Sequence, residues 1–251
     1  MSLSIKKNGT AISLSNIKFS WGSAESDFQL KLNNFQLNRQ ESSILVGPSG
    51  AGKSTLLSLI CGTIRPEEGT VRILDQSIEN KSAAERDSFR ADHLGIIFQQ
   101  FNLIPYLSAI DNVLLPLHFS SNRKKKSGET QSKLVLEAER LLRALGIVPE
   151  TLGRQKANTL SIGQQQRVAA ARAFIGSPEL IIADEPTSSL DEKSQDEFLD
   201  QLFSQKEVTG ATLLMVSHNA RVAKRFNKLI KLQDICTCLL YTSPSPRDVE
   251  E

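Results

Sequence analysis

The first forty residues alternate apolar and polar positions, in AISLSNIKF and again in FQLKLNNFQL. A period of two predicts antiparallel strands with one face buried. SSILVG differs: it is a short, continuous apolar run ending in glycine, as expected of a buried parallel strand. KSTLLSLICG takes helical spacing and carries Cys61 inside the expected helix, while GTVRILD and LGIIFQQ read as further strands. From about Phe101 to Asn158 the character changes to helix. SAIDNVLLPLHF puts Ile110, Val113, Leu114 and Leu117 on one face, and KLVLEAERLLRALGI does the same with Leu134, Ala138, Leu141, Leu142 and Leu145. The basic run SSNRKKKSGET between them predicts a solvated loop, with lipid headgroup contact as the alternative. ELIIAD and ATLLMVSH then read as central parallel strands separated by the helix DEKSQDEFLDQLF, and KLIKLQD is the last strand. Strands alternating with helices predict an α/β fold.

Composition narrows the picture. With 251 residues the chain can bury a full core, as one domain with a subdomain. Hydrophobic residues at 39% and charged residues at 23% fit an ordinary soluble globular protein. A net charge of +2 without a basic stripe argues against a nucleic-acid partner. No apolar run approaches the roughly 18 residues that cross a bilayer. MSLSIKKNGT lacks the apolar core of a secretory signal. Any membrane role is therefore expected to come through a partner. Cys61, Cys236 and Cys238 have no zinc or disulfide spacing and fit a reducing cytoplasm. CLLYTSPSPRD, Cys238 to Asp248, resembles a translated sequencing adapter, so residues 238–251 are set apart as a non-native tail. A genuine Pro/Ser-rich disordered tail is the alternative.

The candidate chemistry begins at GPSGAGKST, which comprises Gly47, Pro48, Ser49, Gly50, Ala51, Gly52, Lys53, Ser54 and Thr55. It matches G-x-x-x-x-G-K-[ST] between an expected strand and an expected helix. Its glycines let backbone N–H groups curl around phosphate oxygens, Lys53 reaches the β- and γ-phosphates, and the Ser54 hydroxyl ligates Mg²⁺. In LIIADEP, Asp184 emerges at the C-terminal end of a buried strand, where it can hold the Mg²⁺ shell. Glu185 is placed to orient or deprotonate an attacking water. LSIGQQQR, Leu160 to Arg167, sets a glycine beside three glutamines ahead of the helical VAAARAF.

The P-loop, LSIGQQQR, LIIADEP, SSLD and LLMVSH follow in the order and spacing of ATP-binding-cassette (ABC) transporter ATPases, which the chain resembles from about Leu14 to Asp234. FQQFNLIPYLSAIDNVLLPL is similar to the subgroup serving lipoprotein-release and macrolide-export transporters. The resemblance implies a P-loop NTPase fold: a RecA-like core, an antiparallel β subdomain and a helical insertion at about residues 101–165, within one domain spanning 1–237. It also implies ATP and Mg²⁺ as ligands, ATP hydrolysis, and a head-to-tail dimer joining one copy's P-loop to the other's signature. An integral-membrane permease would hold the subunit at the cytoplasmic face of the plasma membrane and export lipoprotein, drug, peptide or lipid. The alternative is an ATP-gated regulatory module of the cell-division type.

By the same resemblance, Gln99 matches the Q-loop glutamine that contacts metal or water, and His218 matches the switch histidine at the γ-phosphate. Asp191 matches the D-loop, with a helix N-cap as the plain alternative. Trp21, the only tryptophan, matches the aromatic that stacks on adenine, with Phe19 competing for the place. Ser161, Gly163 and Gln164 belong to the signature, usually LSGGQ, in which Ile162 replaces the first glycine. Ser161 is expected to cap the following helix. Ile162 resists positive φ, so its backbone is expected to be α or β and the site functional but slower.

Overall fold

The structure, a computed structural model, describes residues 9–21 and 28–239. Among these residues there are two five-stranded sheets. The first is antiparallel, with β1 (Thr10–Trp21) paired to β2 (Phe28–Asn38). Its apolar alternation slips by one residue in each strand, at Asn16 in one and Asn33–Asn34 in the other. The slips match across the ladder: Ile12 faces Leu37, Leu14 faces Phe35, Ile17 faces Leu32 and Phe19 faces Leu30. One apolar face therefore survives along the whole pair. Asn16 takes φ 51° where the register of β1 against a later strand shifts, as at a bulge.

The second sheet begins with β3 (Ser42–Val46), which delivers the chain into helix α1 (Lys53–Ile60). Cys61 caps that helix rather than lying within it. Strands β4 (Glu68–Ile73) and β5 (Gln76–Ser77) return to the antiparallel sheet. Helix α2 (Ala83–His93), opened by a capping box between Ser82 and Glu85, leads into β6 (Leu94–Ile97).

The helical part follows: α3 (Ala109–Leu114) with a 3₁₀ turn at Leu115–His118, α4 (Ser121–Ser127), α5 (Gln131–Ala144) and α6 (Pro149–Leu152). The expected apolar faces of α3 and α5 are buried in one cluster. Helix α4 is the correction, because the basic run is not a solvated loop. The Ser120 hydroxyl accepts the Arg123 N–H at 3.0 Å to open the helix, and Gly128, at φ 116°, closes it. Arg123 turns inward and is 2% exposed.

Helix α7 (Ile162–Phe174) passes to β7 (Leu180–Asp184), then α8 (Glu192–Thr209), β8 (Thr212–Ser217) and β9 (Lys228–Lys231). A short α9 (Leu232–Ile235) precedes β10 (Cys236–Leu239), which pairs with β2. Cys238 and Leu239 thus continue a strand, and the rest of the adapter-like string lies outside the described residues.

The second sheet is parallel, in the order β6-β7-β8-β3-β9. Its strands point alternate residues into two apolar cores. Ile44, Ile181, Leu213 and Met215 join the helical core, while Leu45, Ile182, Leu214 and Val216 join the core beneath the antiparallel sheet. Because β8 lies between β7 and β3, the chain leaves three adjacent strands side by side at Gly47, Glu185 and His218. Among the described residues, no helix is long and apolar enough to cross a membrane.

Candidate nucleotide site

One pocket of about 450 Å³ opens at these strand ends. Trp21, Ser49, Gly50, Gly52, Lys53, Ser54, Thr55, Gln99, Asp184 and Glu185 line it, together with Phe28. Gly52 precedes α1 at φ 93°, a conformation that resists any side chain, and no side chain caps the helix start. The pocket therefore receives a helix N-terminus with its amide dipoles unopposed, which is a phosphate-binding arrangement.

Lys53 is nearly buried, and its Nζ donates to the Gly47 and Pro48 carbonyls at 2.8 and 2.9 Å. The same Nζ lies 3.8 Å from Glu185 Oε1. Glu185 Oε2 sits 3.0 Å from Nδ1 of His218, whose side chain is 59% exposed. Glu185 itself is held at φ 44°, with its N–H donating to the Val216 carbonyl at 3.0 Å. Left-handed backbone at such a residue costs on the order of 1–3 kcal/mol and concentrates at functional sites. Asp184 is pushed above the ordinary carboxyl range by burial and by neighbouring Glu185, against the pull of Lys53.

The Trp21 indole N–H donates to the Thr55 hydroxyl at 3.0 Å, which fixes the ring at the pocket mouth while leaving it 48% exposed. Phe19 is core, packed edge-on against it at 5.0 Å. Gln99 is exposed at the start of a tight turn, in which Phe101 N–H donates to the Phe98 carbonyl and Asn102 N–H to the Gln100 carbonyl. Phe101 and Asn102 both take positive φ, at 59° and 48°. The exposed hydroxyl of Ser54, the Gln99 amide and the Asp184 carboxylate are all oxygen donors facing one pocket, and they fit a hard cation such as Mg²⁺.

The comparisons agree with this geometry. The ABC transporter family profile matches residues 30–188. The ABC transporter ATP-binding protein MJ0796 of Methanocaldococcus jannaschii is 40% identical over 207 residues, covering 82% of this chain and 86% of that one. The chain belongs to the ABC transporter ATP-binding family.

YbbA, an ABC transporter ATP-binding protein of Escherichia coli, is 40% identical over 198 residues, covering 78% of this chain and 82% of that protein. MacB of Rhodopirellula baltica, a macrolide export ATP-binding/permease protein, is 34% identical over 192 residues, covering 76% of this chain and 27% of that longer one. Among solved structures, dimeric MJ0796 in a post-hydrolysis state with ADP and Pi superposes with a TM-score of 0.78 and 34% identity. That match covers 92% of this chain and 99% of the MJ0796 chain. The fold is the P-loop cassette, and the protein is an ATP-binding, ATP-hydrolysing subunit of the ABC type with ATP and Mg²⁺ as its ligands.

The remaining ABC motifs sit away from the pocket within one chain. Ser161 caps α7: its hydroxyl accepts the Gln164 N–H at 3.3 Å, and the Gln164 side-chain oxygen accepts the Ser161 N–H at 2.9 Å. The three glutamines divide. Gln164 closes this capping box and Gln165 donates to the Leu160 carbonyl, while Gln166 is fully buried with neither side-chain polar atom partnered among the described residues. Ile162 is the first residue of α7, in helical backbone, and 57% exposed. Asp191 caps α8, accepting the Ser194 N–H at 3.0 Å and the Ser194 hydroxyl at 2.7 Å. A Cβ on Gly163 would come within 3.7 Å of Leu190, so the signature and the segment ahead of Asp191 lie side by side. None of Ser161, Gly163, Gln164 or Asp191 lines the pocket.

Proposed function

We propose that the pocket is one half of a composite ATP site and that a second copy of this chain supplies Ser161, Gly163, Gln164 and Asp191 from its own signature face. The observation carrying this reading is the convergence of Lys53, Asp184, Glu185 and His218 at adjacent strand ends, with the signature exposed elsewhere on the same chain. The dimeric MJ0796 structures support it.

In this reading Gly47 to Thr55 cradle the phosphates, and Lys53 leaves the loop carbonyls for phosphate oxygens. Trp21 carries the adenine. Ser54, Gln99 and Asp184 hold Mg²⁺, which neutralises charge on the phosphate oxygens when bound. Glu185 takes the proton of the attacking water at a carboxylate oxygen. His218, already bonded to the other side of that carboxylate, orients it and reaches the γ-phosphate. A positioned general base contributes about 10²–10⁴ in rate.

The subunit energises a separate membrane permease and is peripheral at the cytoplasmic face of the plasma membrane through it. MacB, which joins both functions in one chain, supports a permease of the macrolide-export kind. Exposed Phe98 and Phe119 on an apolar cleft beside Gln99 support a protein partner at that place.

The test is Mg²⁺-dependent ATP hydrolysis by the wild-type, Lys53→Ala and Glu185→Gln proteins, with dimerisation followed by light scattering. Lys53→Ala should abolish binding, while Glu185→Gln should lower turnover about 10²-fold or more and accumulate an ATP-bound dimer. Unchanged turnover in Glu185→Gln would refute the site assignment.

A further inference from the structure

The Gln99 turn contains two consecutive non-glycine residues in left-handed backbone, Phe101 and Asn102, one of them aromatic. Such backbone persists only where its surroundings over-determine it. The group that does so comes from a distant part of the chain. Arg172, in the last turn of α7, is buried, and it donates from one guanidinium nitrogen to the Asn102 carbonyl at 2.6 Å and from the other to the Phe101 carbonyl. No carboxylate pairs with it among the described residues; burial alone holds its pKa below the usual guanidinium value. A buried cation committed to two neighbouring carbonyls fixes the direction of both peptide planes. The planar fork is what allows this, since an ammonium is a single point of donation.

The helix carrying Arg172 begins at Ser161 and the signature. Its far end is fastened as well, because Arg123 of α4 donates to the Ala173 carbonyl at 3.0 Å and to the Ile175 carbonyl at 2.8 Å. The Gln99 turn, the signature helix and α4 are thus joined in series by two buried guanidinium groups, with no side chain of the nucleotide pocket among the links.

We infer that Arg172 is a positioning residue for Gln99: its two-pronged grip on the Phe101 and Asn102 carbonyls sets the turn that presents the Gln99 amide to the pocket, and ties that presentation to the signature helix. The inference rests on the proposed role of Gln99 at the metal or water. Arg172 touches neither nucleotide nor metal, so its loss should lower kcat and raise the Mg²⁺ concentration needed for half-maximal turnover, while leaving the KM for ATP at its wild-type value.

The experiment compares the full-length wild-type, Arg172→Lys, Arg172→Met, Gln99→Ala and Gln99→Ala/Arg172→Lys proteins. ATP turnover is measured over ranges of ATP and Mg²⁺, and thermal unfolding is recorded for each protein. Arg172→Lys keeps the charge and most of the packing, and it carries the test where Arg172→Met does not fold. Misplacing a catalytic group by about an ångström costs on the order of a hundredfold, so a fall of about ten- to a hundredfold in kcat is expected for Arg172→Lys. In the Gln99→Ala background the same substitution should add less than about twofold, because the group it positions is gone. A multiplicative loss in the double variant, or a loss confined to the KM for ATP, would overturn the positioning role and leave Gln99 as assigned. Wild-type turnover in Gln99→Ala would instead remove the reading of Gln99, and the role of Arg172 with it.

Discussion

Arg123 offers the sharpest test of the fold, because its sequence neighbourhood, NRKKKS, argues for exposure and its structure for burial. Its Nε donates to the Ile175 carbonyl at 2.8 Å, and its two terminal nitrogens donate to Leu94 at 3.2 Å and Ala173 at 3.0 Å. Burial pushes its pKa down to about 10, which still leaves it a cation at neutral pH. Replacement by methionine keeps much of the stem and removes every donor. The three most closely approached carbonyls, of Ile175, Leu94 and Ala173, then lose a charge-assisted bond inside the protein, and each orphaned group costs about 1–3 kcal/mol, part of it recovered by relaxation. Removing the cation also spares its desolvation, so a net loss of roughly 3–5 kcal/mol is expected. For a domain of this size that lowers Tm by about 6–20 °C. Arg123→Lys should recover less than half, because an ammonium cannot span the three acceptors. The assay is urea and thermal unfolding of the nucleotide-free protein, followed by far-UV circular dichroism. A loss below about 1 kcal/mol for Arg123→Met would show that the side chain is solvated, as surface substitutions are usually that mild. Gly176 gives an independent check, because a Cβ there would lie 2.5 Å from the Arg123 Cβ and the residue sits at φ 70°. Gly176→Ala should destabilise the protein through the same contact.

Three further outcomes are expected. Trp21, as the single tryptophan at the pocket mouth, should report ATP binding by a blue shift and intensity change, and a silent spectrum at saturating ATP would remove it from the adenine site. Asp184 has a raised native pKa, so the folded state binds its proton more tightly than the unfolded chain, and stability falls as the pH rises from the ordinary aspartate range through the native pKa, above which the full cost of the charge is present. Asp184→Asn should therefore stabilise the nucleotide-free protein at neutral pH, lose that advantage as the pH falls below the ordinary aspartate range, and hydrolyse no ATP; a pH-independent difference in Tm would contradict this. Ile162→Gly should change stability by less than about 1 kcal/mol, since the position is exposed in the first helical turn, and should hydrolyse ATP at least as fast as wild type. Slower turnover would assign the isoleucine side chain a role of its own.

The sequence disclosed the pocket more fully than its surroundings. GPSGAGKST and LIIADEP carry their chemistry in local spacing, and the apolar runs before them place both at strand ends, so the convergence follows from a parallel sheet. Ser161 as a helix cap was equally legible, since a serine ahead of an apolar helical run has one obvious use. Helix α4 was not, because charge density outweighed two local signals that were present: Ser120 three residues before Arg123, and Gly128 directly after Ser127. Nor could spacing show that Glu185 and His218, thirty-three residues apart, share a hydrogen bond, or that Trp21 rather than Phe19 faces the pocket. Those outcomes depend on strand order and on where the covered part of β1's apolar face ends, between Phe19 and Trp21 on that same face, and both are tertiary facts. The signature's chemistry lies further out still, in a contact one chain cannot make with itself.

The parallel sheet, with one core on each side, also has a mechanical consequence. Leu45 and Val216 seal the side beneath the P-loop, while Ile44 and Met215 face the helices across a single layer of backbone. Such a layer is stiff in its plane, because its strands are cross-linked by hydrogen bonds, and its helical side is mostly apolar, with Arg123 tying α4 to the Leu94 carbonyl at the β6 edge. A tilt of the helical half would be felt first at the β6 edge and at the Gln99 turn held by Arg172, and not across the apolar middle of the sheet. The phosphate cradle, whose helix packs on the opposite side of that layer, would keep its shape while the Gln99 turn follows the signature helix.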